Sequence, residues 1–177
     1  MQKDSILNII LVGVGLCIVC GAVISTVAVS LRDQQEQNVI FDQQSKIIDA
    51  ARLLEVYPSS QEALASIEEV VVNLNDGQPS SFPPQQYDLD SILRDPSQHT
   101  VLNGSEDIAM ISVRENLSKI YIEYRNNELK TLILPVRGYG LWGTLYGYLA
   151  LDSDLNTIVG LEFYKHKETP GLGLSLI

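Results

Sequence analysis

The 177 residues hold at most one globular domain plus a smaller element. Twelve Lys+Arg against 22 Asp+Glu leave a net charge of −10 and a pI near 4.5, which excludes the basic footprint of a nucleic-acid binder. With 45% hydrophobic and 19% charged residues the chain is not wholly disordered, two cysteines cannot make a disulfide scaffold, and a mean hydropathy of +0.08 is high enough to demand a local apolar block.

That block follows a short tail, residues 1–5. Ser5 to Leu31 contains no charged residue, a run of 27 positions bounded by Lys3-Asp4 and Arg32-Asp33. A bilayer core needs about 20 apolar residues in a helix, so residues 6–31 read as a transmembrane helix. The run is too long for the apolar region of a cleaved signal peptide, although Ala28-Val29-Ser30 would suit cleavage. Cys17-Ile18-Val19-Cys20 lies inside the run. It reads as two small hydrophobes, because a redox pair needs a polar setting and a haem-attachment pair needs a following His, where Gly21 stands. Gly13, Cys17, Gly21 and Ser25 recur every four residues and form a stripe that lets another helix approach. Lys3 and Asp4 are the only charges in residues 1–31, so the part beyond them still carries −10. An acidic body after a single N-terminal span leans toward export.

Residues 32–58 read as a helical stalk. Ile40, Ile47, Ile48, Ala51 and Leu54 share one face, and Tyr57-Pro58 stops the helix. Ser59 and Glu62 form a capping box for the next helix. Leu64, Ile67, Val71 and Leu74 are its expected buried stripe, and Asn75-Asp76-Gly77 its end. Residues 78–105 hold four of the seven prolines and read as an irregular wrap with short turns. The period then changes to two. Strands are expected at Ile108–Val113, Lys119–Tyr124, Leu129–Pro135, Thr144–Leu151 and Thr157–Tyr164, with turns at Asn126-Asn127 and Asp152–Asn156. In the Lys119–Tyr124 strand, Ile120, Ile122 and Tyr124 share one face, and Lys119, Tyr121 and Glu123 the other. Helices followed by an antiparallel sheet make residues 59–177 an α+β domain.

Gly138-Tyr139-Gly140-Leu141-Trp142-Gly143 spells G-x-G-x-x-G, yet a period-2 strand follows it. Without a helix N-terminus to receive a pyrophosphate, the dinucleotide reading fails. The glycines shape a bend that carries Trp142, the single tryptophan, to the rim of the sheet. Its role there is core packing or stacking on a planar ligand. On composition alone His166 to Gly173 is an ordinary turn-rich loop; the alternative is a ligand site, in which its glycines let a ligand approach the main chain and Glu168 and Thr169 are polar contacts. His99 and His166 have no neighbours at metal-ligand spacing, no nucleophilic triad has supporting context, and Glu68-Glu69 reads as a solvated helix face.

Ser25-Thr26-Val27-Ala28-Val29, Leu31-Arg32 and Gln44-Ser45-Lys46-Ile47-Ile48 resemble the anchor end of one family. Gly140-Leu141-Trp142, Tyr146-Gly147 and Glu168-Thr169-Pro170-Gly171-Leu172-Gly173 resemble its flavin domain. That family is the C subunits of bacterial sodium-translocating NADH:quinone oxidoreductases, which contain an FMN-binding domain. The resemblance implies a single-pass inner-membrane protein with a periplasmic α+β domain. It implies an FMN relaying electrons within a six-subunit membrane complex that couples NADH oxidation by quinone to sodium export. NADH and quinone would react at other subunits. Trp142, Glu168, Thr169, Gly171, Leu172 and Gly173 are the flavin-binding residues it points to, with no catalytic residue and no metal. In the family a threonine of a Ser-Gly-Ala-Thr type motif holds the FMN phosphate covalently. No such motif occurs in these 177 residues, and after Gly173 the chain reads Leu174-Ser175-Leu176-Ile177 where the family continues Gly-Glu. The expectation is therefore an incomplete, C-terminally truncated flavin domain, inactive by itself, with one side of its sheet left uncovered. Two other readings stand beside it: the flavin subunit of the related ion-translocating ferredoxin:NAD oxidoreductase complex, and a non-catalytic single-span anchor or assembly subunit.

Overall fold

The computed structural model describes residues 6–166. The chain divides into two compact units, residues 1–41 and 42–177.

The first unit is a helical rod, part of α1 (Ile6–Ala50). Every described side chain from residue 8 to residue 41 is exposed. Its part up to Leu31 is apolar, and the helix is long and apolar enough, by length and composition, to cross a membrane. Two of the rod's three hydroxyls beyond Ala22 bond back to their own helix. Thr26 Oγ1 donates to the Ala22 carbonyl at 2.7 Å and Ser30 Oγ to the Val27 carbonyl at 2.9 Å. Both hydroxyls are thus satisfied within the helix itself.

The second unit begins within α1. The helix ends at Ala50, earlier than Tyr57-Pro58 would stop it, because Arg52 takes a left-handed conformation (φ 51°). That reversal turns Leu53 into the core, where it is 1% exposed. A 3-10 turn (Leu53–Glu55) and α2 (Ser60–Ala65) follow. The Ser59 cap is present: its Oγ accepts the Glu62 N–H at 3.3 Å.

The long second helix expected from the Leu64/Ile67/Val71/Leu74 stripe is not there. Residues 67–73 are strand β1. Val70-Val71-Val72 is a β-branched run that favours a pleated surface, and β1 finds an antiparallel partner in β4 (Leu117–Arg125), from Ile67↔Glu123 to Asn73↔Leu117. The stretch expected to be wholly irregular contains α3 (Leu89–Arg94), capped by Asp88, and β2 (His99–Val101). The strand expected at Ile108–Val113 is displaced to β3 (Val113–Glu115). Met110 and Ser112 have positive φ (52° and 64°), and the Asp107 carboxylate accepts the Ile111 and Ser112 N–H groups, so residues 108–112 curl instead of pairing.

The later strands lie where period-2 alternation places them: β5 (Glu128–Tyr139), β6 (Thr144–Asp152) and β7 (Ile158–Lys165). Asn126 and Asn127, both at positive φ, make the two-residue turn between β4 and β5. The main sheet is antiparallel in the order β1-β4-β5-β6-β7, and β2-β3 form a separate pair.

One row across the sheet runs Glu69–Tyr121–Ile133–Ala150–Gly160. The end of α1 packs on this face, where Ile47, Ile48, Ala50, Ala51 and Leu53 join Tyr121, Ile133, Tyr148 and Ala150 in the core. The helix comes so close that a side chain on Gly160 would collide with the Ala50 carbonyl. Lys46 Nζ adds an ion pair to Glu162 at 3.0 Å, which raises the lysine pKa through that hydrogen bond. The adjacent row, Glu68–Ile122–Leu132–Leu151–Ile158, points to the other face. Ile122, Leu132 and Leu151 there are only half-buried, and Ile158 is 62% exposed.

Candidate functional site

Two features meet near one end of the sheet. The first is the β5–β6 hairpin. Tyr139 closes β5, Thr144 opens β6, and the Gly140 N–H donates to the Gly143 carbonyl at 2.8 Å across the loop. A strand therefore follows G-x-G-x-x-G, as the sequence pattern requires, and no helix N-terminus is available for a pyrophosphate. The tight loop leaves Leu141 and Trp142 at its tip, Trp142 at 65% exposure. Trp142 is thus a rim residue and not a core residue. A second loop braces the hairpin: the Tyr139 N–H donates to the Ala109 carbonyl at 2.8 Å. Ile108 and Met110 of that loop are also exposed. The hairpin tip presents an aromatic and aliphatic surface suited to the face of a flat ring.

β7 ends at Lys165 opposite Tyr146, four residues after Trp142. The chain leading to Glu168, Thr169, Gly171, Leu172 and Gly173 thus departs from the same end of the sheet. Those five residues lie outside the described residues.

The second feature is a cavity of about 200 Å³ on the core face. Tyr87, Tyr121, Tyr146, Tyr148, Tyr164 and Arg137 are among the residues that line it. Tyr148 and Tyr164 stack with ring centres 4.8 Å apart and planes 22° apart. Tyr121 meets Tyr148 edge-on at 5.6 Å, and Tyr146 lies 6.2 Å from Tyr164. Burial pushes the Tyr87 phenol up to about 12, helped by the Glu115 charge. Burial likewise raises Tyr121, Tyr148 and Tyr164, so all four stay protonated near neutrality. The Arg137 side chain is 9% exposed. Its Nη2 donates to Glu115 Oε2 at 2.6 Å and to the Val113 carbonyl at 2.7 Å, which ties β5 to β3.

The sequence reading missed this tyrosine group. Its signal was present: eight Tyr against three Phe and one Trp, with Tyr146 and Tyr148 two apart on one strand and so on one face. The convergence of Tyr87, Tyr121 and Tyr164 on them depends on strand order, which local pattern does not carry.

Among the described residues no group of three or more His, Cys, Asp or Glu is placed to hold a metal ion. Cys17 and Cys20 are exposed on the apolar rod.

Comparison with known proteins gives three findings. The FMN-binding domain family model matches residues 140–175, which begin at the hairpin tip and include β6 and β7. The C subunits of the Na(+)-translocating NADH-quinone reductases of Pseudomonas aeruginosa and Vibrio vulnificus are 42% identical over 177 residues and 38% identical over 173. Each match covers 97% of this chain and 68% of the relative. The crystal structure of Shewanella oneidensis NqrC superposes with a TM-score of 0.64 at 29% identity, covering 72% of this chain and 60% of that one. The chain thus spans about two thirds of the length of these curated relatives and less of the solved structure.

Proposed function

The chain belongs to the family of the C subunits of Na(+)-translocating NADH-quinone reductases, and from that premise we propose that it is a membrane-anchored flavin subunit that relays electrons within such a complex. FMN is its cofactor, and the observation that carries the site is the match of the FMN-binding domain to the segment that opens at the exposed hairpin tip. When bound, FMN supplies one-electron chemistry at a potential tuned by its surroundings. The protein's own contribution is placement. Leu141 and Trp142 offer an apolar and aromatic surface at the tip, and the Tyr139–Ala109 hydrogen bond holds that tip in position. Glu168, Thr169, Gly171, Leu172 and Gly173 complete the contact from the chain that follows β7. The 177 residues contain no Ser-Gly-Ala-Thr sequence.

In this reading α1 crosses the bacterial inner membrane once, and its small-residue stripe packs against helices of other subunits. The acidic domain faces the periplasm, and NADH and quinone react elsewhere in the complex.

The single tryptophan supplies the test. FMN titrated into the full chain in detergent should quench most of the tryptophan emission, and Trp142→Phe should weaken FMN retention several-fold. Full retention by Trp142→Phe, or FMN binding with unchanged emission, would place the flavin elsewhere.

A further inference from the structure

We propose that the loop from Asp107 to Ser112 is a second wall of the flavin site, with Ile108 and Met110 against the hydrocarbon edge of the isoalloxazine ring and Asp107 as the positioning residue that holds them there. This role rests on the flavin reading above, and its residues lie outside the segment 140–175 matched by the FMN-binding domain model.

The loop is held firmly, and what it displays is hydrocarbon. The Asp107 carboxylate accepts the Ile111 N–H at 2.8 Å and the Ser112 N–H at 2.7 Å. The Met110 N–H donates to the Asp107 carbonyl and the Ile108 N–H to the Glu106 carbonyl, each at 3.1 Å. These four donors are therefore taken within the loop. Met110 and Ser112 sit at φ 52° and 64°, a left-handed conformation that neither residue favours. Such strain persists only where surrounding contacts over-determine it, and it gathers at ligand sites. Met110 is 62% exposed, and Ile108, at 92%, is more exposed than any other large hydrophobic among the described residues. Ordered, strained backbone that presents bare aliphatic side chains marks a contact surface.

Two hydrogen bonds fix the loop beside the hairpin tip. The Tyr139 N–H donates to the Ala109 carbonyl at 2.8 Å, and Arg137 Nη2 to the Val113 carbonyl at 2.7 Å. At Gly138, between them, a Cβ would lie in ordinary contact with Ala109. On its other edge the same stretch of β5 pairs with β6, from Arg137↔Tyr146 to Tyr139↔Thr144, and β7 lies beyond β6. The loop and the chain leaving β7 thus flank the tip from opposite sides. In the flavin reading Glu168 and Thr169 supply the polar contacts from the β7 side. Isoalloxazine has one edge of carbonyl and N–H groups and one of dimethylbenzene. With the polar edge met from β7, the dimethylbenzene edge falls to Ile108 and Met110.

The test uses the full chain in detergent, with FMN and its analogue lacking the two ring methyl groups as probes. Affinity is read by equilibrium dialysis and by quenching of tryptophan emission. The wild type should bind FMN several-fold more tightly than the analogue, because each buried methyl favours binding. Ile108→Thr and Met110→Gln should each weaken FMN several-fold and shrink that methyl preference, which a merely structural role would leave alone. Asp107→Ala frees the Ile111 and Ser112 N–H groups and should abolish the preference. Asp107→Asn keeps one acceptor oxygen and should restore part of it. If circular dichroism shows that Asp107→Ala has lost the fold, Ile108→Thr carries the test, since a side chain so exposed contributes little to folding. FMN binding that quenches Trp142, with no methyl preference or with one that Ile108→Thr and Met110→Gln leave intact, would overturn this wall and leave the flavin reading standing. Absence of FMN binding, or binding without quenching, would sink the flavin reading and the wall with it.

Discussion

The two faces of the five-stranded sheet differ in a way opposite to hydrophobicity. The row through Ile122, Leu132 and Leu151 is aliphatic, yet only half-buried. The face that α1 seals carries Tyr121, Glu123, Thr131 and Tyr148, all at or below 7% exposure. What selects the sealed face is closeness and polar satisfaction. Ala50, Ala150 and Gly160 let helix and sheet backbones approach. Glu123, fully buried, accepts hydrogen bonds from Arg125 Nε at 2.6 Å, Thr131 Oγ1 at 2.8 Å and Tyr57 Oη at 3.0 Å. A buried carboxylate is tolerable only when its lone pairs are met in this way. Tyr57 belongs to the segment between α1 and α2, so this network also fixes how the chain leaves the helix.

If close approach decides the sealed face, the largest loss should come from filling it. Gly160→Val would drive a branched side chain into the Ala50 carbonyl, a backbone atom with no rotamer to yield. Overpacking of this kind costs about 3 kcal/mol or more where the backbone must move. The expected result is a chain that loses cooperative unfolding, measured by thermal or urea denaturation. A loss below ~1 kcal/mol would mean that the helix end can lift off the sheet without consequence.

The carboxylate network gives the next effect. Glu123→Ala leaves Tyr57, Thr131 and Arg125 without their acceptor and should cost ~2–4 kcal/mol. The pH dependence follows from the same contacts. Burial opposes ionisation of Glu123, but the hydrogen bonds from Arg125, Thr131 and Tyr57 outweigh it and hold the carboxyl below its ordinary value. Its stabilisation is therefore complete above the unfolded glutamate value of about 4.3 and is lost as pH falls through the folded one. Urea midpoints measured from pH 6 to pH 3 should fall more steeply for the wild type than for Glu123→Gln. Parallel curves would show that the network does not titrate with folding.

This contrast also explains what the sequence could and could not reveal. The antiparallel hairpins were legible, because Asn126-Asn127 and the period-2 runs around it are local signals. So was the division of β4 into its two faces, and so was the Ser59 cap. Which face would be sealed was not legible, since Ile120 and Ile122 outrank Tyr121 and Glu123 on any hydrophobic scale. The choice depends on Gly160 and Ala150, two small residues far along the chain that admit α1. β1 was misread for a related reason. Leu64, Ile67, Val71 and Leu74 fit a helical stripe, and only the edge offered by β4, some fifty residues later, makes a strand the better use of Val70–Val72. Five of the six flavin contacts expected from sequence lie outside the described residues, so the site is legible in structure only through Trp142 and the register that leads β7 toward it.

The smallest effect belongs to the aliphatic face, and it is the sharpest check on the comparison. Leu132 sits between Ile122 and Leu151 in the half-buried row. Leu132→Thr introduces a β-branched residue with good strand propensity and removes part of an aliphatic surface that water already reaches. A sealed position would lose ~2–5 kcal/mol on comparable truncation, as Ile133→Ala should, its neighbour being 0% exposed. For Leu132→Thr the expected loss is ~1 kcal/mol or less in urea denaturation of the full chain. The pair of adjacent substitutions tests one strand on both sides with the same assay. Equal losses at 132 and 133 would mean that the aliphatic face is covered in solution as firmly as the other, and the asymmetry between the two faces would then belong to the isolated chain and not to the protein at work.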